Sequence, residues 1–308
     1  EAERVRALEA ARVARSEAER IVAEELARLI ALDTRVRVLR DEFQRAREQL
    51  AARRDLMLGW QRRVRDAKAA GISLLTRRCD VTAAGDCEAL AGYAMSEHGR
   101  IDMVFANAGI GAGEAGPMWT YSMKDWQWCF GVNVWGVVNT INAFLPRLVA
   151  QERKSHFTVT GSGNGAFVVL PDAPIYTATK AAVQAITENL YYQNVAMKSP
   201  VSVHALFPGP HVVDTGLFDS DRVRPESFDT GTPKSSGIRS VEDMRRLMQQ
   251  HGMELKTTHP DEVAEAAVAG ILADTFWICP RTEESLAKFL ARVESIRTLQ
   301  NPVAASVG

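Results

Sequence analysis

The sequence has little that would assign it to a membrane, to nucleic acid or to a disulfide scaffold. No apolar run approaches the about 18 residues that a membrane-spanning helix needs, and residues 1–20 are charged throughout, unlike a signal peptide. The formal net charge is −1, which provides no electrostatic attraction for nucleic acid. The four cysteines lie far apart and form no Cys-x-x-Cys pair, which predicts free thiols in a reducing compartment. We therefore expect a cytoplasmic protein with no membrane or nucleic-acid partner and no metal.

Glycine and proline are almost absent from the first 70 residues. This stretch contains one glycine, Gly59, and the first proline of the chain is Pro117. It also holds 17 basic and 13 acidic side chains, a mixture that is typical of a solvated helix surface. Glycine and proline recur at intervals afterwards. The change predicts a boundary near residue 70, between an Arg/Glu/Ala-rich, mostly helical region (1–70) and a larger region (71–308).

Residues 1–70 allow two interpretations. An apolar stripe at helical spacing runs through Ile21, Val22, Leu26, Leu29 and Ile30. A short stretch then alternates Val36 and Val38 with arginines, as a strand would. The region is either a helical hairpin or coiled-coil arm, or a helix, a strand and a helix that lead into a strand at residue 72. We favour the second interpretation.

From residue 72 onward, short β-type runs alternate with helical patterns. The predicted strands are 72–81, 101–109, 155–163, 200–209 and 275–280, and the predicted helices are 86–99, 123–151, 176–195 and 260–272. This alternation predicts the α/β class, with a doubly wound parallel sheet and helices on both faces. Parallel sheets bind ligands at the carboxyl ends of their strands. These ends are Asp80-Val81, Asn107-Ala108-Gly109, Gly161-Ser162-Gly163 and Pro208-Gly209, which we expect to line one crevice.

Tyr176 and Lys180 are the candidate proton-transfer pair. They lie four residues apart in a predicted helix, so both face the same side. A tyrosine phenol has a pKa of about 10, and a nearby positive charge favours the phenolate. The same spacing also occurs by chance on solvated helix faces. Two further residues favour a catalytic role: Ser162 ends a strand inside a glycine-rich turn, and Asn133 lies within an apolar helix, where asparagine is unfavourable.

Seven short motifs occur in the order, and near the separations, of a known family. They are CDV at 79–81, NAG at 107–109, VNVWG at 132–136, TGSGNG at 160–165, YTATK at 176–180, PG at 208–209 and VVDT at 212–215. Over about residues 72–280 the chain resembles the short-chain dehydrogenase/reductase family. The resemblance implies a Rossmann-like fold and hydride transfer between NAD or NADP and a secondary alcohol or its ketone.

The resemblance also implies roles for individual residues. Tyr176 would act as general acid/base, and Lys180 would lower its pKa and bond the nicotinamide ribose. Ser162 would hold the substrate oxygen, and Asn133 would hold a water that connects Lys180 to solvent. The cofactor would contact Asp80 and Val81 at the adenine, Asn107, Ala108 and Gly109 at the adenosine ribose, and Pro208, Gly209 and Thr215 at the nicotinamide.

Residues 210–259 occupy the place of the family's substrate lid. Leu217, Phe218, Met244, Leu247, Met248 and Met253, with Trp119 from another loop, could cover an apolar substrate or simply pack the lid on the core. We expect a hydrophobic alcohol or ketone as substrate. Because the family assembles through the helices at 124–150 and 176–196, the resemblance also implies a homodimer or homotetramer.

The family's glycine-rich cofactor loop has no counterpart in this sequence. Its place falls near residues 10–19, where Val13, Glu17 and Glu19 stand at positions that favour glycine. Two carboxylates would then face the pyrophosphate of the cofactor and repel it. The alternative prediction is therefore a catalytically impaired or non-catalytic member of the fold that serves as a binding or scaffold protein. Arg40 and Asp41 leave the choice between NADP and NAD open.

Overall fold

The chain divides into two compact units, Glu1–Leu75 and Thr76–Gly308. The computed structural model describes residues 1–111, 116–231 and 237–303. Residues 232–236 of the predicted lid lie outside this description. None of the helices in these ranges is both long and apolar enough to cross a membrane.

The first unit, which is described throughout, contains one long helix, α1 (Ala2–Ala69). Alanine, leucine, arginine and glutamate dominate its sequence and are strong helix formers, and no proline interrupts them. Ion pairs at helical spacing link successive turns, with Arg15 2.9 Å from Glu19 and Arg37 2.7 Å from Asp33. The favoured interpretation as helix, strand and helix is therefore wrong. A strand at Val36 would lack a neighbour for its backbone groups, whereas a helix pairs them internally.

The strand predicted at 72–81 is also wrong. Residues 72–80 belong to neither a helix nor a strand. Arg77 and Arg78 interrupt the apolar run, and no strand of the described residues pairs with this segment. Cys79 and Val81 pack partly against the apolar core instead. The segment therefore contributes side chains to the core without extending the sheet.

The second unit is built on a parallel sheet. In chain order the strands are β1 (Met103–Ala106), β2 (Ser155–Thr160), β3 (Val201–Leu206), β4 (Val212–Val213), β5 (Thr257–Thr258) and β6 (Trp277–Ile278). β1, β2, β3 and β6 pair in that order to form one sheet, and β4 pairs with β5. Every pairing is parallel. The predicted α/β class is confirmed.

Helices cover both faces of this sheet. They are α2 (Ala84–His98), α3 (Met123–Phe130), α4 (Gly136–Ala150), the short α5 (Gly163–Ala166), α6 (Pro174–Ala196), α7 (Val241–Gln250), α8 (Pro260–Leu272) and α9 (Glu283–Thr298). Val203 of β3 lies in the main core with Leu148 of α4, whereas Leu206 lies in a separate cluster with Ile271 of α8. Because successive strand side chains alternate between faces, α4 and α8 cover opposite sides.

Two histidines are hydrogen-bonded to each other within the sheet. Nδ1 of His156 lies 3.0 Å from Nε2 of His204, and Nδ1 of His204 lies 2.8 Å from the carbonyl oxygen of Thr275. A carbonyl only accepts, so Nδ1 of His204 donates to Thr275 and its Nε2 accepts from His156. Burial lowers the pKa of both imidazoles, and their proximity lowers the pKa of His156 further. The pair is therefore neutral near pH 7.

We predict that this pair makes folding stability sensitive to acid. An unfolded histidine takes up a proton near pH 6.5, whereas the folded pair resists protonation. The unfolded state therefore binds more protons below that pH, and stability falls as the pH drops from about 7 to 5. In thermal unfolding, the double variant His156→Gln/His204→Gln should lose less stability over this interval than the wild type. The exposed control His251→Gln should lose as much stability as the wild type over this pH interval. An equal loss in all three proteins would contradict the prediction.

Candidate active site

Tyr176 and Lys180 lie on the first two turns of α6. Pro174 opens this helix, which suits a residue without an amide proton at a helix N-terminus. The Lys180 ammonium lies 5.7 Å from the centre of the Tyr176 ring and donates a hydrogen bond of 2.9 Å to the carbonyl oxygen of Thr160. Lys180 is only 5% exposed, and this burial lowers its pKa to about 8. The structure thus brings the predicted pair together, with the ammonium bonded to the end of β2.

Asn133 lies in a wide helical turn, Gly131–Trp135, that joins α3 to α4. Its side-chain oxygen accepts a hydrogen bond of 2.8 Å from the amide of Ile110, and its Nδ2 donates to the Ile110 carbonyl at 2.9 Å. The same Nδ2 lies 3.0 Å from the hydroxyl oxygen of Thr179, beside Lys180. The side chain therefore ties the segment after β1 to α6. The water relay implied for Asn133 stays a prediction.

The loop that carries Ser162 is packed tightly against α6. The Ser162 hydroxyl caps α5 by accepting a 3.2 Å hydrogen bond from the amide of Asn164. The side-chain oxygen of Asn164 in turn accepts a 2.9 Å bond from the hydroxyl of Thr177. At Gly165, where φ is +97°, an added β-carbon would lie 2.6 Å from the carbonyl oxygen of Thr177. Only glycine permits this approach, which fixes the Ser162 loop against the helix of Tyr176 and Lys180.

The NAG segment after β1 also reaches Lys180. The hydroxyl of Thr160 donates a 2.7 Å hydrogen bond to the side-chain oxygen of Asn107. A β-carbon at Gly109 would lie 3.7 Å from the Lys180 ammonium and 3.6 Å from the Asn133 side-chain oxygen. The ends of β1 and β2 therefore meet at Lys180, and Ala108 lies between the two contacts.

Pro208 and Gly209 follow β3 and line a pocket with Gly163, next to Ser162. The other residues of this pocket are mostly apolar: Phe167, Val168, Phe207, Pro210, Cys279, Pro280, Arg281, Ser285, Leu286 and Phe289. The ends of β2 and β3 therefore share a largely hydrophobic pocket, whereas Val81, Asn107 and Ala108 of the expected single crevice line a separate one.

The remaining predicted cofactor residues have local structural roles. The carboxylate of Asp80 accepts bonds of 2.9 and 2.8 Å from the amide and hydroxyl of Thr82. Val81 packs closely against Gly136 of α4. A β-carbon added at Gly136 would lie 2.8 Å from the side chain of Val81. Thr215 is exposed and caps a short helical segment at its amino end. Their cofactor contacts stay predictions.

The phosphate-binding part of the cofactor site has no counterpart in the first unit. Residues 10–19, where the glycine-rich loop would fall, lie within α1. Their amides are hydrogen-bonded inside the helix and cannot bind phosphate, unlike amides at a helix N-terminus. Glu17 and Glu19 already form ion pairs with Arg20 and Arg15 of the same helix. Residues 10–19 therefore do not fit the pyrophosphate of a dinucleotide.

A buried ion pair that the sequence gave no reason to expect anchors the segment predicted to be the lid. Arg224 lies 2.9 Å from Asp125 of α3, and their side chains are only 8% and 5% exposed. The Arg224 guanidinium also stacks over Trp128, 4.1 Å from the ring centre. Ser220 adds a second link, since its hydroxyl accepts a 2.9 Å bond from the amide of Gly111. The Ser122-x-x-Asp125 capping box is visible in the sequence, but its distant arginine partner is not.

We predict that breaking this pair strongly destabilises the second unit. Arg224→Met leaves the buried Asp125 carboxylate without its cation and should cost about 3–5 kcal/mol in chemical denaturation. Arg224→Met/Asp125→Asn should recover part of that loss, because it removes the unpaired charge. The matched control is Arg297→Met, which breaks an exposed pair with Glu294 and should cause a much smaller loss, because solvent screens exposed pairs. Similar losses for Arg224→Met and Arg297→Met would contradict the prediction.

Comparison with known proteins places this geometry in a family. Residues 54–224 match the family described as short chain dehydrogenase. The C alpha-dehydrogenase of Sphingobium sp. (strain NBRC 103272 / SYK-6) is 28% identical over 235 residues, which are 75% of this chain and 70% of that protein. The structure of a short chain dehydrogenase/reductase from Burkholderia phymatum, in complex with NAD, is 31% identical, with a TM-score of 0.70 over 80% of this chain and 85% of that one. The apo form of LigO from Sphingobium sp. strain SYK-6 is 25% identical, with a TM-score of 0.53 over 74% of this chain and 70% of that one. The chain belongs to the short chain dehydrogenase family of oxidoreductases.

Proposed function

We propose that the protein is an NAD(P)(H)-dependent oxidoreductase that interconverts a secondary alcohol and a ketone, with Tyr176 as general acid/base. The observation that carries the proposal is the buried Lys180 ammonium 5.7 Å from the Tyr176 ring. The similarity to a C alpha-dehydrogenase and to an NAD complex supports it. NAD and NADP remain equally compatible with the residues near the site.

Two local charges favour proton transfer at Tyr176. In the oxidative direction, the Tyr176 phenolate takes the proton of the substrate hydroxyl, and in the reductive direction the phenol returns it. Lys180 stabilises the phenolate through its positive charge, which is weakly screened in this buried setting. Tyr176 also lies in the first turn of α6, where the helix dipole favours negative charge. A bound nicotinamide would supply or accept the hydride.

Three elements would position the reactants. The Ser162 hydroxyl would hold the substrate oxygen, because its loop is fixed against α6 by Asn164 and Gly165. Lys180, Asn107 and Gly109 would hold the ribose side of the cofactor. The apolar pocket beside Gly163 and Gly209 supports a hydrophobic alcohol or ketone as substrate.

A second candidate is a binding or scaffold protein with impaired or no catalysis. The observation that favours it is that residues 10–19 lie inside α1, so the phosphate contacts of a dinucleotide are not available there. The two candidates share the fold and differ in cofactor affinity. We also infer a homodimer or homotetramer assembled through α4 and α6, where Tyr192, Val195 and Trp135 just before α4 are exposed. A cytoplasmic setting would suit the free cysteines.

Replacement of Tyr176 tests the proposed chemistry. With a panel of hydrophobic secondary alcohols and NAD or NADP, Tyr176→Phe should lower kcat by about 100-fold or more, because the acid/base hydroxyl is lost. Tyr192 is 61% exposed on the same helix, and Tyr192→Phe should retain wild-type kcat. Full activity in Tyr176→Phe would refute the mechanism. Turnover confined to small polar polyols would refute the hydrophobic substrate.

Cofactor titration separates the two candidate functions. If the protein is an oxidoreductase, NADH or NADPH should quench its tryptophan fluorescence, and the quenching should saturate at cofactor concentrations below the millimolar range. Lys180→Met should weaken this binding, because the ribose contact is lost, whereas the exposed control Lys256→Met should not. Absence of binding at millimolar cofactor would reject the enzyme proposal, and micromolar binding would reject the scaffold proposal.

A further inference from the structure

The apolar side chains of α1 follow a seven-residue repeat. One series contains Leu8, Val22, Leu29, Val36, Phe43, Leu50 and Val64, spaced by seven residues or a multiple of seven. A second series, three residues further on, contains Ala11, Leu32, Leu39 and Ala67. Among the described side chains, Arg15 and Glu25 are the polar members of these series. A repeat of this period forms a continuous seam when two helices wind around each other in a left-handed coiled coil.

Most of this seam is exposed along α1, whereas Val64 and Ala67 near its end are half-buried. Leu8 is 68% exposed, and Phe43 and Leu50 are each 71% exposed. The helix has 68 residues, which corresponds to a length of about 100 Å, and the first unit contains no other element that could cover the seam. An exposed apolar stripe of this length is typical of a surface that binds another helix.

Charge complementarity identifies the partner as a second copy in the antiparallel direction. When Leu8 is placed opposite Ala67 of the second copy, the flanking positions bring Glu19 opposite Arg54, Asp33 opposite Arg40, and Arg35 opposite Glu42. Each contact occurs twice by symmetry, and no like charges meet among the described flanking side chains. The parallel arrangement in register places Arg35 near Arg40 and Arg63 near Lys68, and these repulsive pairs offset its attractive pairs, Arg28 with Asp33 and Glu42 with Arg47.

The core layers of the antiparallel arrangement also match in size. Leu8 meets Ala67, Val64 meets Ala11, Phe43 meets Leu32, and Val36 meets Leu39. At both ends a large side chain therefore faces a small one, which favours close packing of two helices. Glu25 faces Leu50 and already accepts a 2.7 Å hydrogen bond from Arg28 of its own helix. A polar residue within the seam lowers stability but specifies the register.

We propose that α1 pairs with α1 of a second copy of this chain in an antiparallel, two-stranded coiled coil that is centred between Arg37 and Val38. This interface is separate from the one inferred for α4 and α6 and does not depend on catalysis. It assigns a binding role to the region that replaces the family's first cofactor-binding segment.

Disulfide trapping in the full chain tests both the partner and its direction. The double variant Leu8→Cys/Ala67→Cys should form a covalent dimer under mild oxidation, because the two positions meet across the antiparallel seam. They lie about 90 Å apart within one helix and cannot bond to each other there. Neither Leu8→Cys nor Ala67→Cys alone should cross-link more than the wild type, which controls for the four native cysteines. Cross-linking in a single variant, or in none of the three, would overturn the proposal.

Charge reversal in the same double-cysteine background tests the register. Glu19→Arg should slow cross-linking about tenfold, because two attractive contacts with Arg54 become repulsive. Adding Arg54→Glu should restore the rate. The matched control is Glu17→Arg, which breaks an exposed pair with Arg20 away from the seam and should leave the rate unchanged. Equal slowing by Glu19→Arg and Glu17→Arg, or no rescue by Arg54→Glu, would overturn the proposed register.

Discussion

The buried ammonium of Lys180 is the constraint on which the site is organised. An unpaired charge in an apolar interior costs several kcal/mol, so the ammonium must have an acceptor where it is buried. The Thr160 carbonyl provides it at the end of β2, and the same residue bonds Asn107 after β1. Asn133 then holds the following segment through Ile110. Burial of one charge thus fixes two strand ends and α6 relative to each other.

The burial of Lys180 also bears on the proton transfer proposed for Tyr176. Desolvation lowers the pKa of Lys180 to about 8. Near neutral pH the ammonium is therefore favoured over the neutral amine by only a small margin. A phenolate at Tyr176 would supply the missing counter-charge, and the two groups would stabilise each other. Gly165 and Asn164 bring the Ser162 loop to the same helix by close backbone packing. The position of the predicted lid depends on a comparable interaction, because the buried Arg224 needs its ion pair with Asp125.

The two units satisfy their backbone hydrogen bonds in different ways, and this difference separates the functional roles that we propose for them. In the second unit, parallel strands leave amides and carbonyls at their carboxyl ends, where small residues such as Gly109 and Gly209 permit a ligand to approach. In α1 every interior amide is bonded within the helix, so no phosphate site forms there. What α1 offers instead is its side chains, and their period suits a second helix. The proposed coiled coil and the proposed chemistry thus lie on different parts of the chain.

Much of the second unit could be predicted from the sequence. Buried parallel strands and amphipathic helices have distinct local patterns, so β1, β2, β3 and α8 are close to the predicted ranges, and the motifs located Tyr176, Lys180, Ser162 and Asn133. The strand predicted at 72–81 failed because a strand exists only when another strand pairs with it, which a local pattern does not report. The strand expected around Val36 and Val38 failed for the same reason.

The sequence by itself determined which residues could carry the chemistry and which segments could be helical, because both follow from residue type and spacing. Only the tertiary structure decided what those residues touch. The bonds from Lys180 to Thr160, from Asn133 to Ile110 and from Arg224 to Asp125 each join residues more than a dozen positions apart. Such contacts arise when burial forces a polar group to find a partner, and that partner is set by the packing of whole elements.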